Sequence, residues 1–310
     1  MKNDFEKHML YAIGKCDGYI FNDGNGGFQL YPFTTENISG YINYFDLVNK
    51  SLLTVGNSGD QVINAILNGC KDITLLDINP YTKYYYYLKI ASLLCLDIDT
   101  FMEFLRYQDY PRVFKKNMNV FKKEIYENIK STLRLLDYES YLFWDELFQT
   151  YKPIDIRNYL FSLDENRTDV IIESNNYLRN EKNYNEAREK VKKVVPRFIN
   201  GDLLNIDLNE TFDNIWLSNI GAWLEMDKVK NMIDKMSKLL NEDSKLLISY
   251  LYRTTKYSKY IDEFAPIYDL KNTFKILKEY NPELFSFIGV DGTKFNEKNI
   301  KDSVLVYHKH

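Results

Sequence analysis

The spacing of apolar positions along the chain changes several times, and each change marks an element. Leu52, Leu53, Thr54 and Val55 form a short continuous run, the pattern of a strand covered on both faces. Val62, Ile63, Ile66 and Leu67 then recur at helical spacing, and Gly69 stands where that helix would close. A second apolar run, 73–76, ends at Asp77. A helix is predicted over 81–96, with Pro80 at its start. The run Tyr84-Tyr85-Tyr86-Tyr87 covers every face, so this helix should be well buried. From 97 to 193 the period stays helical, with helices predicted at 101–107, 113–136, 138–149, 156–163, 169–178 and 185–193. Strands return at 194–199, 211–220 and 245–251, with an amphipathic helix at 229–240. A helix at 273–278 and two short strands, 284–290 and 303–308, complete the pattern, with Asp291-Gly292 as a turn between those strands. The sum is a doubly wound α/β protein: a seven-stranded, mostly parallel sheet and a large helical insertion of about a hundred residues.

The chemistry concentrates in residues 51–80. Strand, glycine loop, helix, strand and acid follow in the order of a nucleotide-binding α/β unit. In the loop Gly56-Asn57-Ser58-Gly59-Asp60, two glycines permit a tight turn and a close approach of backbone to a ligand. Asp77, at the end of the second strand, is placed to accept hydrogen bonds from ribose hydroxyls, and its distance from Gly59 is close to the roughly 20 residues usual between such a loop and its acid. The loop is not G-x-G-x-x-G. Asp60 follows the glycines, and an acid there repels a pyrophosphate and favours a cation. S-adenosylmethionine, with its ammonium, sulfonium and adenosine and no phosphate, satisfies that charge. A NAD-binding oxidoreductase would need a third glycine where Val62, Ile63 and Ala65 stand. A turn that binds nothing, or a scaffold that keeps the fold and uses its aromatics against a partner chain, is the non-catalytic alternative.

Composition adds bounds. The 310 residues are 45% hydrophobic and 27% charged, an ordinary globular balance for one large domain or two small ones. The net charge of −4 argues against a nucleic-acid partner, whose footprint is normally basic. The 26 tyrosines and 19 phenylalanines suit both a core and a site for an amphipathic small molecule. Cys16, Cys70 and Cys95 are scattered, with no C-x-x-C pair and no metal-ligand spacing, so free thiols are expected and no metal site. No signal-peptide h-region and no membrane-length apolar run is seen, so the expected location is cytoplasmic. His8, His308 and His310 are not expected to act as bases.

Residues 52–80, with Gly201-Asp202 and 212–221, resemble class I S-adenosylmethionine-dependent transferases, the Rossmann-like methyltransferase superfamily. More narrowly, V-G-N-S-G-D-Q-V-I-N followed by L-D-I-N-P is similar to a group related to the enzyme that moves a 3-amino-3-carboxypropyl group onto diacylglycerol in betaine-lipid synthesis. That group also carries a helical insertion after the second helix. The resemblance implies S-adenosyl-L-methionine as cofactor, held by Gly56, Asn57, Ser58, Gly59, Asp60, Asp77 and Ile78. It implies Asp202 on the adenine amino group, with the Leu203 N–H on a ring nitrogen, and Ser218 and Asn219 at the motif IV position beside the reactive group. Base-modifying DNA enzymes carry N-P-P-Y or D-P-P-Y there. This chain has Ser218-Asn219-Ile220-Gly221, so that acceptor is not expected. Asn219 either bonds a ligand or caps the following turn.

The resemblance further implies a domain plan. Residues 1–50 form a cover; their own pattern predicts a short helix at 1–15, a turn cluster at 23–27 and a helix at 37–46 opened by Thr34-Thr35-Glu36-Asn37. Residues 51–96 and 194–310 hold the cofactor, and 97–193 lie over the carboxyl ends of the strands as a cap. Tyr31, Phe33, Glu36 and Tyr41 either cover the cofactor or pack on the sheet edge. Glu36, Tyr41 and Asn219 are the catalytic candidates. The expected reaction moves a methyl or aminocarboxypropyl group to a small-molecule or lipid-headgroup acceptor.

Overall fold

Successive residues of a strand face opposite sides of a sheet, and paired apolar residues run through every central strand of this chain. The computed structural model describes residues 30–34, 36–106, 121–161, 168–254, 275–287, 293–295 and 300–310. The strands are β1 (Ser51–Val55), β2 (Asp72–Asp77), β3 (Arg197–Asn200), β4 (Phe212–Trp216), β5 (Leu240–Thr254), β6 (Phe285–Phe287), β7 (Thr293–Phe295) and β8 (Ile300–Lys309). Leu52, Leu75, Trp216, Leu247 and Val306 point into one apolar cluster. Their neighbours Leu53, Leu76, Ile215, Leu246 and Leu305 point into a second cluster on the other face.

The sheet order is β3-β2-β1-β4-β5-β8-β6, and β7 pairs with β8 off this path. The first five strands are mutually parallel. β8 runs antiparallel between β5 and β6. This is the doubly wound, mostly parallel, Rossmann-like sheet expected. The order reverses between β1 and β4, and ligands of open α/β sheets bind outside the carboxyl ends of the strands at such a switch point.

The helices are α1 (Ile38–Tyr41), α2 (Asp60–Leu67), α3 (Thr82–Cys95), α4 (Ile98–Leu105), α5 (Lys123–Leu136), α6 (Tyr138–Thr150), α7 (Pro153–Leu160), α8 (Thr168–Ser174), α9 (Glu181–Val191) and α10 (Met226–Ser237). α3 is buried nearly all round, as its tyrosine run required. The described helices between α3 and β3 pack largely beside it: α4, α5, α6 and α9 lie against α3, and α9 also against α2. Trp144 of α6 donates its indole N–H to the Tyr84 carbonyl at 2.8 Å. These four therefore build out the α2–α3 face, while α8 meets α1 and β7 nearer the strand ends.

Several predicted bounds move, each for a local reason. β3 begins at Arg197 and not at 194: Val195 is 79% exposed, and Pro196 has no N–H to give a strand ladder. β4 stops at Trp216, since Ser218 adopts a left-handed φ of 54° that no strand continues through. β5 is longer at both ends than 245–251. Its polar start pairs Leu240 with Phe212 across an irregularity, and its end pairs Arg253 and Thr254 with β8. β6 starts at Phe285, one residue later than expected, and 288–290 lie outside the described residues; β8 runs from Ile300 to Lys309, longer than 303–308, and its pairing with β7 was not expected. The predicted helix over 37–46 is a single α-turn capped by Asn37, followed by a 3-10 turn at Ile42–Tyr44. The expectations for 1–29, 113–120 and the turn at 291–292 lie outside the described residues.

Candidate functional site

The sheet register lines up the rim at the switch point. Val55 sits opposite Leu76 and Thr54 opposite Trp216, so Gly56 leaves β1 between Asp77 and the Ser218 turn. Asp77 pairs with Asn200, which places the Gly201-Asp202 turn next along the same rim. Ser249 continues the row, its N–H donating to the Ser218 carbonyl at 3.0 Å. The rim therefore reads Asp202, Asp77, Gly56, Ser218, Ser249.

Two glycines shape the turn for different reasons. A side chain at Gly56 would meet Leu75 Cγ at 2.2 Å, so only glycine leaves room for the core there. Gly59 has φ 75° and caps α2, a left-handed position that glycine adopts without strain. Asn57 Oδ1 accepts the Tyr31 N–H at 3.0 Å, which ties the segment before the sheet to the loop. The Ser58 hydroxyl accepts from the Asp60 N–H at 3.3 Å.

Asp77 is buried at the end of β2. Its Oδ1 accepts the Asn79 N–H at 2.9 Å. Its Oδ2 is buried with no donor in range. Burial pushes the carboxyl up to about 6, against hydrogen bonds from Asn79 and Thr82 that lower it; the Thr82 hydroxyl nevertheless makes no in-range bond, so its support is weak. Ile78 follows half-buried, its carbonyl held by Asn200 Nδ2 at 3.1 Å.

Asp202 is also buried, but its carboxylate turns into its own loop. Oδ1 accepts the Leu204 N–H at 3.0 Å and Oδ2 accepts from Asn205 Nδ2 at 2.5 Å. The carboxylate so braces the Asp202–Ile206 turn, and Leu203 packs into the second apolar cluster.

Asp60 does not join this rim, which corrects the reading of an acid open to a cationic ligand. Both of its oxygens are engaged inside the protein, and its countercharge is internal. Oδ1 takes Lys89 Nζ at 2.5 Å and the Tyr177 hydroxyl at 2.7 Å, and Oδ2 takes the Thr34 N–H at 2.6 Å. The cation that this loop favours is Lys89, from α3. Lys89 gives its other two N–H groups to the carbonyls of Pro32 at 2.8 Å and Ser58 at 3.0 Å, and lies 4.3 Å from the Phe33 ring centroid. Burial lowers the lysine's pKa and Asp60 opposes that shift. The charge argument against a phosphate ligand therefore lapses.

Glu36 and Tyr41 do converge. Glu36 is buried at the β4–β5 end of the rim. Its Oε1 accepts from the Ser218 hydroxyl, and from Gln61 Nε2 at 3.4 Å. The Tyr41 hydroxyl donates to Oε2 at 3.3 Å. Burial raises the Glu36 pKa, and Ser218, Ser249, Tyr41 and Gln61 moderate the rise. Ser249 acts on that charge, yet its hydroxyl makes no hydrogen bond within range. The strained Ser218 turn aims its hydroxyl at the carboxyl, the kind of backbone cost that gathers at functional positions. Asn219 opens the next 3-10 turn without capping it through its side chain, so the capping role is not realised. Phe33 packs edge-on against Phe101 and Tyr41 against Trp216, with centroids 6.1 and 5.7 Å apart.

Sequence reasoning missed Lys89, Gln61, Ser249, Tyr177 and Asn64. Lys89 had a signal: a lysine inside a helix whose neighbours are apolar on every side needs a buried partner. Gln61, Ser249 and Tyr177 are ordinary polar residues in ordinary elements, and nothing local marks them. Asn64 joins α2 to the helical segment, donating to Asn175 Oδ1 at 2.8 Å and accepting the Asn176 N–H at 2.8 Å.

Among the described residues no cluster of His, Cys, Asp or Glu is arranged to hold a metal, and no helix is long and apolar enough to cross a membrane. No protein-family model matches the chain. No curated protein matches it in sequence. Some solved structures are similar in outline. The N-methyltransferase NodS from Bradyrhizobium japonicum WM9, in complex with S-adenosyl-L-homocysteine, is 14% identical over 42% of this chain with a TM-score of 0.30. The chain spans 63% of that neighbour, less than two thirds of its length. Magnesium protoporphyrin IX methyltransferase (ChlM) from Synechocystis PCC 6803, with bound SAM, is 10% identical over 88% of this chain and 76% of its own, with a TM-score of 0.39. A TehB-like SAM-dependent methyltransferase from Corynebacterium glutamicum is 10% identical over 89% of both chains, with a TM-score of 0.38. The fold is given by the strand order itself.

Proposed function

We propose that this chain binds S-adenosylmethionine along the rim from Gly56 to Asp202 and transfers a methyl or 3-amino-3-carboxypropyl group to a small-molecule or lipid-headgroup acceptor. The observation that carries this reading is the Asp77 carboxylate. It is buried at the switch point with one oxygen lacking a donor, a state that costs free energy until a donor arrives. A ribose diol supplies two hydroxyls. The loop from Gly56 to Gly59 lies beside it with glycine at both ends, and the Gly201–Asp202 turn lies on its other side.

Each residue then has a defined task. Asp77 takes the ribose, with Ile78 against the nucleoside. The Gly56, Asn57, Ser58 and Gly59 turn presents backbone to the amino-acid end. Asp202 and Leu203 border the base. Asp60 acts behind the loop through Lys89 and does not touch the ligand. Ser218, Asn219, Glu36 and Tyr41 flank the place where the acceptor would enter. S-adenosylmethionine supplies an electrophilic carbon on a neutral leaving group, so the protein's part is orientation and exclusion of water. Residues 51–96 with 194–310 would form the cofactor-binding unit, and 97–193 would shape the acceptor side through α8 and the Asn176–Leu178 turn.

Calorimetry tests this directly. S-adenosylmethionine and S-adenosylhomocysteine should both bind. Asp77→Ala should weaken each at least tenfold without unfolding the chain, and NADH should give no signal. Absence of heat with both S-adenosyl compounds, or an Asp77→Ala variant that binds them as the parent does, would overturn the proposal.

A further inference from the structure

Two buried carboxylates sit close behind the rim, and the protein treats them differently. Asp60 has its own cation, Lys89, with both side chains fully buried. Glu36 has none: among the described residues no lysine, arginine or histidine pairs with it, and its partners are the neutral Ser218, Tyr41 and Gln61, with Ser249 nearby. Gln61 comes from α2, Ser218 from the turn after β4 and Ser249 from β5, so the carboxyl stands at the switch point, on the β4–β5 side of the rim. A buried carboxylate without a countercharge is expensive, and it becomes favourable only when it is neutral or when a cation docks on it.

From this geometry, and resting on the transferase reading above, we propose that the acceptor is an amine, and that Glu36 is the group that receives it. An ammonium supplies the countercharge that Glu36 lacks. The carboxylate can then take one proton from the ammonium, which leaves the carboxyl neutral and frees the nitrogen lone pair. Ser218, Tyr41 and Gln61 hold the carboxyl in place through both states. An alcohol acceptor brings no charge, so it can only hydrogen-bond to the carboxylate and leaves it without a countercharge. The amine can belong to a soluble molecule or to a lipid headgroup; the chemistry at Glu36 is the same.

The probes are n-butylamine, with n-butanol as the uncharged match, titrated by calorimetry into the S-adenosylhomocysteine complex in buffers of different ionisation enthalpy. The amine should bind and the alcohol should not. Burial keeps a proton on the resting carboxyl at the lower pH values, so docking of the ammonium should release up to one proton there, falling to none as pH rises. Glu36→Gln should weaken the amine at least tenfold and abolish the proton release. S-adenosylhomocysteine binding should change by less than threefold. Tyr41→Phe removes one donor to the carboxylate, so the release should persist to higher pH. Vesicles of phosphatidylcholine with and without phosphatidylethanolamine separate the two sources: selective retention on the second kind, lost in Glu36→Gln, places the amine on a lipid. Equal binding of n-butylamine by parent and Glu36→Gln, or no binding of either amine form, overturns the inference and leaves the cofactor reading intact. Loss of S-adenosylhomocysteine binding in Glu36→Gln also overturns it, because the carboxyl would then belong to the cofactor's own ammonium.

Discussion

The Asp77 carboxyl has opposed consequences for binding and for stability. Its folded pKa is raised from 3.8 to about 6 by burial. The native state therefore holds the proton more tightly than the unfolded chain. The stability from that proton is fully present below about pH 4 and is lost as pH rises through 6. At neutral pH the ionised group costs about 3 kcal/mol, at roughly 1.4 kcal/mol per pH unit. Asp77→Asn keeps an oxygen for the Asn79 N–H and removes the charge. It should raise Tm at pH 7.5 and flatten the fall in stability between pH 4 and 6, measured by thermal melts across that range. An Asn variant with the parent's pH profile would mean that the carboxyl is already solvated. Asp77 was legible in the sequence because its position at a strand end carries the information. The role of Asp60 was not, because its partner Lys89 lies 29 positions away on another helix. A carboxylate's charge says nothing about whether the countercharge is internal.

At the scale of the element, the turn after β1 is held by packing as much as by ligand chemistry. A methyl at Gly56 meets Leu75 Cγ at 2.2 Å, at the carboxyl end of the β1–β2 pair. Overpacking of this kind costs about 1–3 kcal/mol, and Leu→Ala in a core about 2–5. Gly56→Ala should destabilise the chain. Combined with Leu75→Ala the two penalties should fall short of their sum by at least about 1 kcal/mol, since the second change vacates the space that the first invades. Urea unfolding of the four species measures this, and strict additivity would show that the loop relaxes by another route. Elements whose apolar runs are buried on both faces, β1, β2 and β4, and helices with a full apolar stripe, such as α2 and α10, were legible from periodicity. The start of β5 was not. Asn241, Glu242, Asp243 and Ser244 carry no strand pattern, and they join the sheet only because Leu240 pairs with Phe212 across a break in register. The single α-turn at Ile38–Tyr41 was overextended in the sequence reading for the converse reason, an apolar spacing that serves packing on Trp216 and not a continuous helix.

Across the whole molecule, the helical segment is joined to the glycine loop through polar contacts that no composition reveals. The Asn176–Leu178 turn meets α2 by the Asn64 amide and meets Asp60 by the Tyr177 hydroxyl. Asp60 in turn holds Thr34, and Lys89 holds Pro32 and Ser58. One buried ion pair thus links the loop, the chain before the sheet and the helical segment. Tyr177→Phe separates these links. Lys89 still neutralises Asp60, so the loop should stay in place, while the turn loses a hydrogen bond to a charged group worth about 1.5–3 kcal/mol. Tm should fall accordingly. Amide exchange should quicken at Leu178 and Arg179, and stay unchanged at Gly59 and Ile63, whose N–H groups bond within the loop and α2. Exchange that quickens equally at both places would mean that the loop and the helical segment open as one unit, and that Asp60 depends on Tyr177 as much as on Lys89.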